Sequence, residues 1–126
     1  MSTKELTELD VKNELAMYYG TEHYYNFDGL LITDGMRRFC ELCECFWTIT
    51  DFISLKLYPI AKKQDDTFSI VEFRIDDNHI VNFRAFHDTD MPNYWEDKQK
   101  DYTHSIPIGT YQFYLIDNVL LLKSEY

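Results

Sequence analysis

The chain has 126 residues, a length that fits one domain and is sufficient to bury a substantial core. Its 10 Tyr, 9 Phe and 2 Trp residues supply that core, and only 4 Gly and 3 Pro argue against a disordered chain. The formal net charge of −10 gives an acidic surface that repels nucleic acid and membranes, so we expect no direct binding to duplex DNA.

The sequence gives no sign of membrane insertion or export. No apolar stretch reaches the ~18 residues that a membrane helix needs, and the polar start at Met1 lacks the apolar core of a signal peptide. Cys40, Cys43 and Cys45 are odd in number and close together, which fits a reducing compartment better than a disulfide framework. We therefore expect a cytoplasmic protein without membrane association.

The first half of the chain has helical periodicity. Ser2 and Glu5 form a predicted capping box, and leucines at roughly helical spacing continue a helix over 3–18, which Gly20 ends. Residues 21–33 are predicted to be a connection, too aromatic for a flexible linker.

A second helix is predicted to begin at Thr33 or Asp34. Its apolar stripe follows the i, i+3, i+4, i+7 pattern and consists of Met36, Phe39, Cys40 and Cys43. Residues 46–57 keep the same spacing, so we expect a third helix that Pro59 stops. The β-branched run at 48–50 would also suit a strand.

Beyond a polar turn at 62–66, the apolar period changes from 3.6 to 2. Two antiparallel hairpins are predicted: 68–75 with 80–86, and 110–116 with 119–122. The longest irregular stretch, 88–103, lies between them.

Helices followed by strands predict a single α+β domain over 1–126. The helical part covers about 1–60 and the sheet about 67–126, with the N-terminal helices packed on one face of a roughly four-stranded antiparallel sheet. The residues expected to be buried between the two layers are Phe39, Ile49, Ile53, Phe73, Val81, Phe83, Tyr114 and Leu121.

Three short stretches are similar to known sequences. They are Gly20-Thr21-Glu22 followed by aromatic residues, Thr33-Asp34-Gly35, and the C-terminal Leu120-Leu121-Leu122-Lys123-Ser124-Glu125-Tyr126. They resemble a family of small uncharacterised bacterial and phage proteins, a domain of unknown function that typically has proline in place of Lys123. The resemblance covers nearly the whole chain, with an insertion near 88–103. It implies mobile-element cargo in the cytoplasm of a host cell, and no activity comes with it.

The cysteines are one candidate metal site. The spacing Cys40-x-x-Cys43-x-Cys45 suggests zinc, but a second ligand pair is absent and the four histidines are scattered singly. Because Cys40 and Cys43 also lie on the predicted apolar helix face, core packing explains them better. We therefore expect no metal and no cofactor.

A catalytic metal site is the alternative to a binding role. His87, Asp88 and Asp90 could hold a divalent cation, because clustered carboxylates suit Mg²⁺ or Ca²⁺, and a small metal-dependent enzyme is the alternative function. No serine lies in a nucleophile elbow, and no P-loop or dinucleotide fingerprint is present. We therefore expect that the protein is not an enzyme.

The stretch 88–103 is the candidate binding segment, since it combines acids that can steer association with aromatic rings that can anchor a contact. The candidate partner-binding residues are Asp88, Asp90, Tyr94, Trp95, Glu96, Asp97 and Asp101. Carboxylates on a rigid surface can imitate phosphates, so the expected partner is a basic surface of a host protein or ribonucleoprotein.

With the mobile-element resemblance, this pattern favours an anti-CRISPR-like inhibitor of a host nucleic-acid-binding defence protein, such as an RNA-guided effector. In the simpler interpretation, the acidic surface only keeps the protein soluble.

Overall fold

Seven strands and three α-helices are present in the computed structural model, which describes residues 5–65 and 67–126. The strands are β1 (Tyr24–Phe27), β2 (Leu30–Thr33), β3 (Phe68–Ile75), β4 (Val81–Phe86), β5 (Trp95–Lys98), β6 (Gly109–Ile116) and β7 (Val119–Leu122). The helices are α1 (Glu8–Leu15), α2 (Asp34–Leu42) and α3 (Tyr58–Ala61), with a π-helix at Thr48–Leu57 and a 3₁₀ turn at Lys123–Glu125. No helix within the described ranges is long and apolar enough to cross a membrane.

The strands form one mixed sheet in the order β1-β2-β7-β6-β3-β4-β5. All neighbours are antiparallel except β2 and β7, which run parallel and pair Leu31 with Val119 and Ile32 with Leu120. The predicted α+β class is confirmed, but the prediction of a roughly four-stranded antiparallel sheet is wrong. The two predicted hairpins are present as β3–β4 and β6–β7, and three further strands extend the sheet on both sides.

Two of the missed strands, β1 and β2, form a tight hairpin inside the stretch predicted as a connection. Asp28 (φ 53°) and Gly29 (φ 96°) adopt the left-handed conformation that a two-residue type I′ turn requires. The Asp-Gly pair is therefore the signal in the sequence for this hairpin. Each strand has only four residues, too few to show a clear period of two.

The helices cover one face of the sheet. Phe39 of α2 packs against Phe73 and Phe113, with ring centroids 6.0 Å and 5.0 Å away. Phe52 of the π-helix stacks on Phe83 with centroids 4.3 Å apart. Aromatic rings therefore fill much of the space between the helical layer and the sheet.

Most of the predicted core lies in this layer. The correctly predicted residues are Phe39, Ile49, Ile53, Phe73, Val81 and Phe83. Tyr114 and Leu121 lie on the opposite face, so their predicted place between the two layers is wrong, although Leu121 is buried; their neighbours Phe113 and Leu120 join the core. Strands β6 and β7 carry apolar side chains on both faces, so their alternation does not show which face is inward.

The first helix begins later than predicted. Thr7 is its N-cap: the Thr7 hydroxyl accepts a hydrogen bond from the Asp10 N–H (3.2 Å), and the Asp10 carboxylate accepts one from the Thr7 N–H (3.0 Å). This pair is a capping box. The predicted box of Ser2 and Glu5 involves Ser2, which lies outside the described residues.

Pro59 does not stop the third helix, contrary to the prediction. The π-helix passes directly into α3, which continues through Pro59. Proline is tolerated there because it occupies the first turn of α3, where its missing N–H removes little.

The start of α2 is tied to the C-terminal residues. The Glu125 carboxylate accepts hydrogen bonds from the Thr33 hydroxyl (2.6 Å) and from the N–H groups of Gly35 and Leu122 (both 3.0 Å). A side chain at position 35 would displace Leu122 or Glu125, because its Cβ would lie 2.5 Å from Leu122 Cδ1 and 2.6 Å from Glu125 Oε1. Negative charge at a helix N-terminus is stabilising, so Glu125 both caps α2 and fixes β7 beside β2.

The three stretches that carry the family resemblance meet at this helix terminus. Asp34 accepts hydrogen bonds from the Glu22 N–H and the Tyr25 hydroxyl, and its own N–H donates to the Thr21 hydroxyl, each at 2.9 Å. The Glu22 N–H contributes most to lowering the pKa of Asp34. Thr21, Asp34 and Glu125 therefore hold the fold together at one place.

Cys40, Cys43 and Cys45 are fully buried at the end of α2. A hydrogen bond with Cys45, then burial, raises the pKa of the Cys43 thiol. A hydrogen bond with Cys40, with burial added, raises that of Cys45. Both side chains are therefore neutral thiols inside the core at neutral pH.

Replacing Phe83 with Ala should lower the free energy of unfolding by about 3–5 kcal/mol, because it removes a buried ring. The ring contacts Phe52 and Phe73. Urea unfolding followed by circular dichroism measures the change. Leu55→Ala is the control, since Leu55 is 65% exposed, and it should cost less than about 0.5 kcal/mol. A loss below about 1 kcal/mol for Phe83→Ala would contradict its place in the core.

Replacing Glu125 with Ala should destabilise the protein by about 2 kcal/mol, because it removes charged hydrogen bonds and leaves the Gly35 N–H without its partner. Urea unfolding followed by circular dichroism measures this loss of stability. Glu22→Ala removes an exposed carboxylate that makes no hydrogen bond or ion pair with the described residues, so it should leave the midpoint unchanged. Equal effects of the two substitutions would mean that Glu125 does not close the fold.

The three thiols should not react with 5,5′-dithiobis(2-nitrobenzoic acid) in the native protein, because the thiolate is the reactive form and burial suppresses it. All three should react at once in guanidinium chloride. Absorbance of the released thionitrobenzoate counts the reacting thiols. Rapid reaction of one thiol without denaturant would show that this part of the core opens.

Candidate interaction surface

The predicted binding segment forms one edge of the sheet. Residues 87–103, called here the edge segment, leave β4 and return antiparallel to it. The Gln99 N–H donates to the Val81 carbonyl (3.0 Å), and the Thr103 N–H donates to the His79 carbonyl (2.8 Å). The edge segment therefore follows the whole length of β4 and includes β5, the third strand that the sequence did not reveal.

The two aromatic residues predicted to anchor a partner already have contacts. Trp95 is 8% exposed, and its ring centroid lies 6.3 Å from that of Phe83 on the helical face. Tyr94 is half-buried, shares a 2.7 Å hydrogen bond with the Ser69 hydroxyl, and stacks on His87 with centroids 4.5 Å apart. Trp95 is thus part of the core.

The five predicted carboxylates have different surroundings. Asp97 accepts a hydrogen bond from Lys56 Nζ at 3.0 Å; partial burial alone would raise its pKa, but the Lys98 N–H and Lys56 lower it more. Asp88 accepts a hydrogen bond from the Thr89 N–H in its own turn at 2.6 Å. The carboxylates that are exposed and make no hydrogen bond or ion pair with the described residues are Asp90, Glu96 and Asp101.

The residues of the metal-enzyme alternative do not converge. His87 Nδ1 lies 3.0 Å from the Phe68 carbonyl oxygen, and the same ring stacks on Tyr94. Asp88 is engaged in its turn, and Asp90 is exposed. In the part of the chain that the structure describes, no group of three or more His, Cys, Asp or Glu side chains could hold a metal ion. This geometry gives no support to a cation site at these residues.

The face of the sheet opposite the helices, called here the outer face, carries a row of linked polar side chains. The Glu72 carboxylate accepts two hydrogen bonds from the Arg84 guanidinium and one from Gln112 Nε2 at 3.0 Å. Gln112 Oε1 accepts a hydrogen bond from Lys123 Nζ at 2.6 Å, and Glu96 is paired with Arg84 in the strand register. This polar ladder crosses the sheet from the end of β7 to β5.

Glu72 is the buried member of the ladder, with a side chain only 6% exposed. Burial alone would raise its pKa, but the hydrogen bonds from Arg84 and Gln112 outweigh burial and lower it. Because the folded-state pKa is lowered, the pair stabilises the fold above the ordinary pKa of glutamate. That contribution is lost as the pH falls through the lowered pKa.

Two rows of different character flank the polar ladder. One row is apolar and consists of Ile70, Phe86, Tyr114 and Leu121. The Arg84 guanidinium lies 5.1 Å from the Phe86 ring centroid, and Lys123 Nζ lies 5.6 Å from that of Tyr114, so two ladder residues partly cover this row. The other row carries two cations and no acid, and consists of Thr110, Arg74, Asn82 and Lys98.

The basic row and the ladder line an open groove of about 750 Å³ on the outer face. The polar side chains of β3 and β4 showed in the sequence that one face of this hairpin is hydrophilic. Their pairing with β5 and β6, which creates the groove, depends on the strand register and could not be found from spacing.

Comparisons with known proteins give a family without an activity. A search of curated proteins and a search of solved structures both returned no match. A family of unknown function, DUF6876, has a sequence model that matches residues 9–126, which confirms the expectation of an uncharacterised family. Because that match runs from α1 to residue 126, the chain belongs to the family of unknown function DUF6876.

Proposed function

We propose that this protein is a non-enzymatic binding protein whose edge segment docks on a basic surface of a partner protein. The observation that supports this most is the exposure of Asp88, Asp90, Glu96 and Asp101 along one edge of the sheet. Backbone bonds to β4 and His79 hold residues 94–103, so Glu96 and Asp101 keep a fixed spacing. A fixed array of like charge steers the approach of an oppositely charged surface and selects its orientation.

A nucleic-acid-binding surface is the kind of partner that this edge would fit. Such surfaces gather Lys and Arg side chains to bind phosphates, and carboxylates accept the same charge-assisted hydrogen bonds. The net charge of −10 adds long-range attraction to the basic partner. The narrower form of the proposal is an inhibitor of a host defence protein, of the anti-CRISPR kind, which blocks a nucleic-acid site by occupying it.

Met91 and Tyr102 take the anchoring role that the sequence suggested for Tyr94 and Trp95. Met91 is 51% exposed and Tyr102 is 65% exposed. Met91 precedes β5 in the chain, and Tyr102 follows it. Tyrosine is enriched among residues that dominate binding energy, and methionine adapts its shape to a partner. Each apolar anchor has a free carboxylate nearby in sequence, Asp90 beside Met91 and Asp101 beside Tyr102.

The double variant Asp90→Lys, Asp101→Lys should bind the partner more weakly and with a smaller salt dependence, because it reverses two charges that steer association. The wild-type protein and the variant serve as bait in a nuclease-treated lysate of the source cells, at low and high salt. Mass spectrometry identifies and quantifies the captured proteins. Added duplex DNA or structured RNA should release the partner if its nucleic-acid site is the one occupied.

Glu22→Lys, Asp51→Lys is the matched control, since both residues are exposed acids outside the edge segment and the net charge changes equally. Circular dichroism establishes that both variants are folded. The control should capture the partner as the wild-type protein does. If the edge variant also captures it equally at low salt, the acids of the edge segment only keep the protein soluble and the proposal is wrong.

A further inference from the structure

We propose that the groove on the outer face binds a small organic anion, through a phosphate or carboxylate group held by Arg74 and Lys98. This binding site is distinct from the docking of the edge segment, because it uses the outer face of the sheet and the opposite charge, although it shares Lys98 and Asn93 with that segment. The proposal depends on three features: an arginine without a hydrogen bond or ion pair to the described residues, a second cation on the same row, and two neighbouring acids that are already hydrogen-bonded.

Arg74 differs from the other arginines of the protein. Carboxylates pair with the other three: Glu41 with Arg37, Glu14 with Arg38 and Glu72 with Arg84. The guanidinium of Arg74 has no ion pair or hydrogen bond with the described residues. An arginine without an ion pair is available to an external anion, and a guanidinium suits planar recognition of carboxylate or phosphate.

Lys98 lies on the same row as Arg74, two strands away. Asn82 is paired with Arg74 on one side and with Lys98 on the other. Adjacent strands are separated by about 4.8 Å, so the two Cβ atoms are about 10 Å apart and both long side chains can reach one anion between them. Thr110 and Asn93 also line the groove and offer a hydroxyl and an amide to the same ligand.

Two acids near this row, Asp76 and Glu72, are already hydrogen-bonded, while Glu96 also lines the groove and is exposed. Asp76 accepts hydrogen bonds from the N–H groups of Asn78 (2.9 Å) and Ile80 (3.1 Å) and from Asn82 Nδ2 (3.0 Å). Glu72 is held by Arg84 and Gln112 in the polar ladder. No carboxylate within residues 5–65 and 67–126 forms an ion pair with Arg74 or Lys98, although Glu72 attracts Arg74 and Asp76 attracts Lys98 at longer range. A bound anion would therefore supply the close counter-charge that both cations lack.

The size of the groove fits a small molecule. Its volume of about 750 Å³ lies within the range of about 300–1,000 Å³ typical of ligand sites. The groove is open along one side, so part of the ligand stays in water and a charged group can bind without complete desolvation. The sheet beneath it holds the row rigid, because β3 pairs with strands on both sides.

The test is a titration of ¹⁵N-labelled protein with inorganic pyrophosphate and, separately, with citrate, at constant ionic strength set with sodium chloride. We expect saturable chemical-shift changes of the backbone amides of Arg74, Asn82, Lys98 and Thr110. Arg74→Gln should weaken binding about tenfold or more, the size expected for the loss of charged hydrogen bonds. Tighter binding of pyrophosphate indicates a phosphate ligand, and tighter binding of citrate indicates a carboxylate ligand.

Lys63→Gln is the matched control, because Lys63 is exposed, follows α3 and does not line the groove. It removes one positive charge and should leave both dissociation constants unchanged. The site is disproved if neither probe gives saturable shifts, if the shifts occur elsewhere, or if Lys63→Gln weakens binding as much as Arg74→Gln. The edge variant Asp90→Lys, Asp101→Lys should still bind the probe, which separates failure of this site from failure of the docking proposal.

Discussion

The carboxylate of Glu125 closes the fold, because it joins the C-terminal turn to the start of α2 beside the shortest strand pairing of the sheet. Strand β7 lies between the β1–β2 hairpin and the antiparallel strands β6-β3-β4-β5. Its parallel pairing with β2 involves only two pairs of residues, so the backbone ladder there is short. The hydrogen bonds of Glu125 with Thr33 and Gly35 add the contacts that this ladder lacks.

On the outer face, the Glu72 carboxylate likewise links neighbouring strands, because it accepts hydrogen bonds from Arg84 of β4 and Gln112 of β6. A buried carboxylate without a partner would cost several kcal/mol, so Arg84 and Gln112 must stay in place to compensate it. Arg84 is therefore committed to the ladder, and Arg74 is left on this face without a hydrogen bond or ion pair to the described residues. Two surfaces of opposite charge consequently meet at β5, where Glu96 lies on the outer face beside the basic groove and also belongs to the acidic edge.

Periodicity predicted the elements with long, one-sided patterns, namely the Thr33-capped helix α2 and the β3–β4 hairpin. It failed where the pattern is short, as in β1 and β2, or apolar on both faces, as around Tyr114 in β6. The acids of the edge segment were visible in the sequence, but the inward orientation of the Trp95 side chain was not. That orientation, like the pairing of Asp97 with Lys56, depends on contacts between residues far apart along the chain.

The place of β7 also bears on how the protein is synthesised. Thr33 and Glu125 are 92 residues apart, and β2 is made long before the strand that completes its pairing. At a translation rate of about 5–20 residues per second, the open side of β2 waits about 5–20 seconds for β7 to emerge from the ribosome. During that time Leu30 and Ile32, which are fully buried in the finished protein, have no sheet to cover them. The nascent chain is then most exposed to chaperones and to pairing with another chain, and the short length of β2 limits that risk.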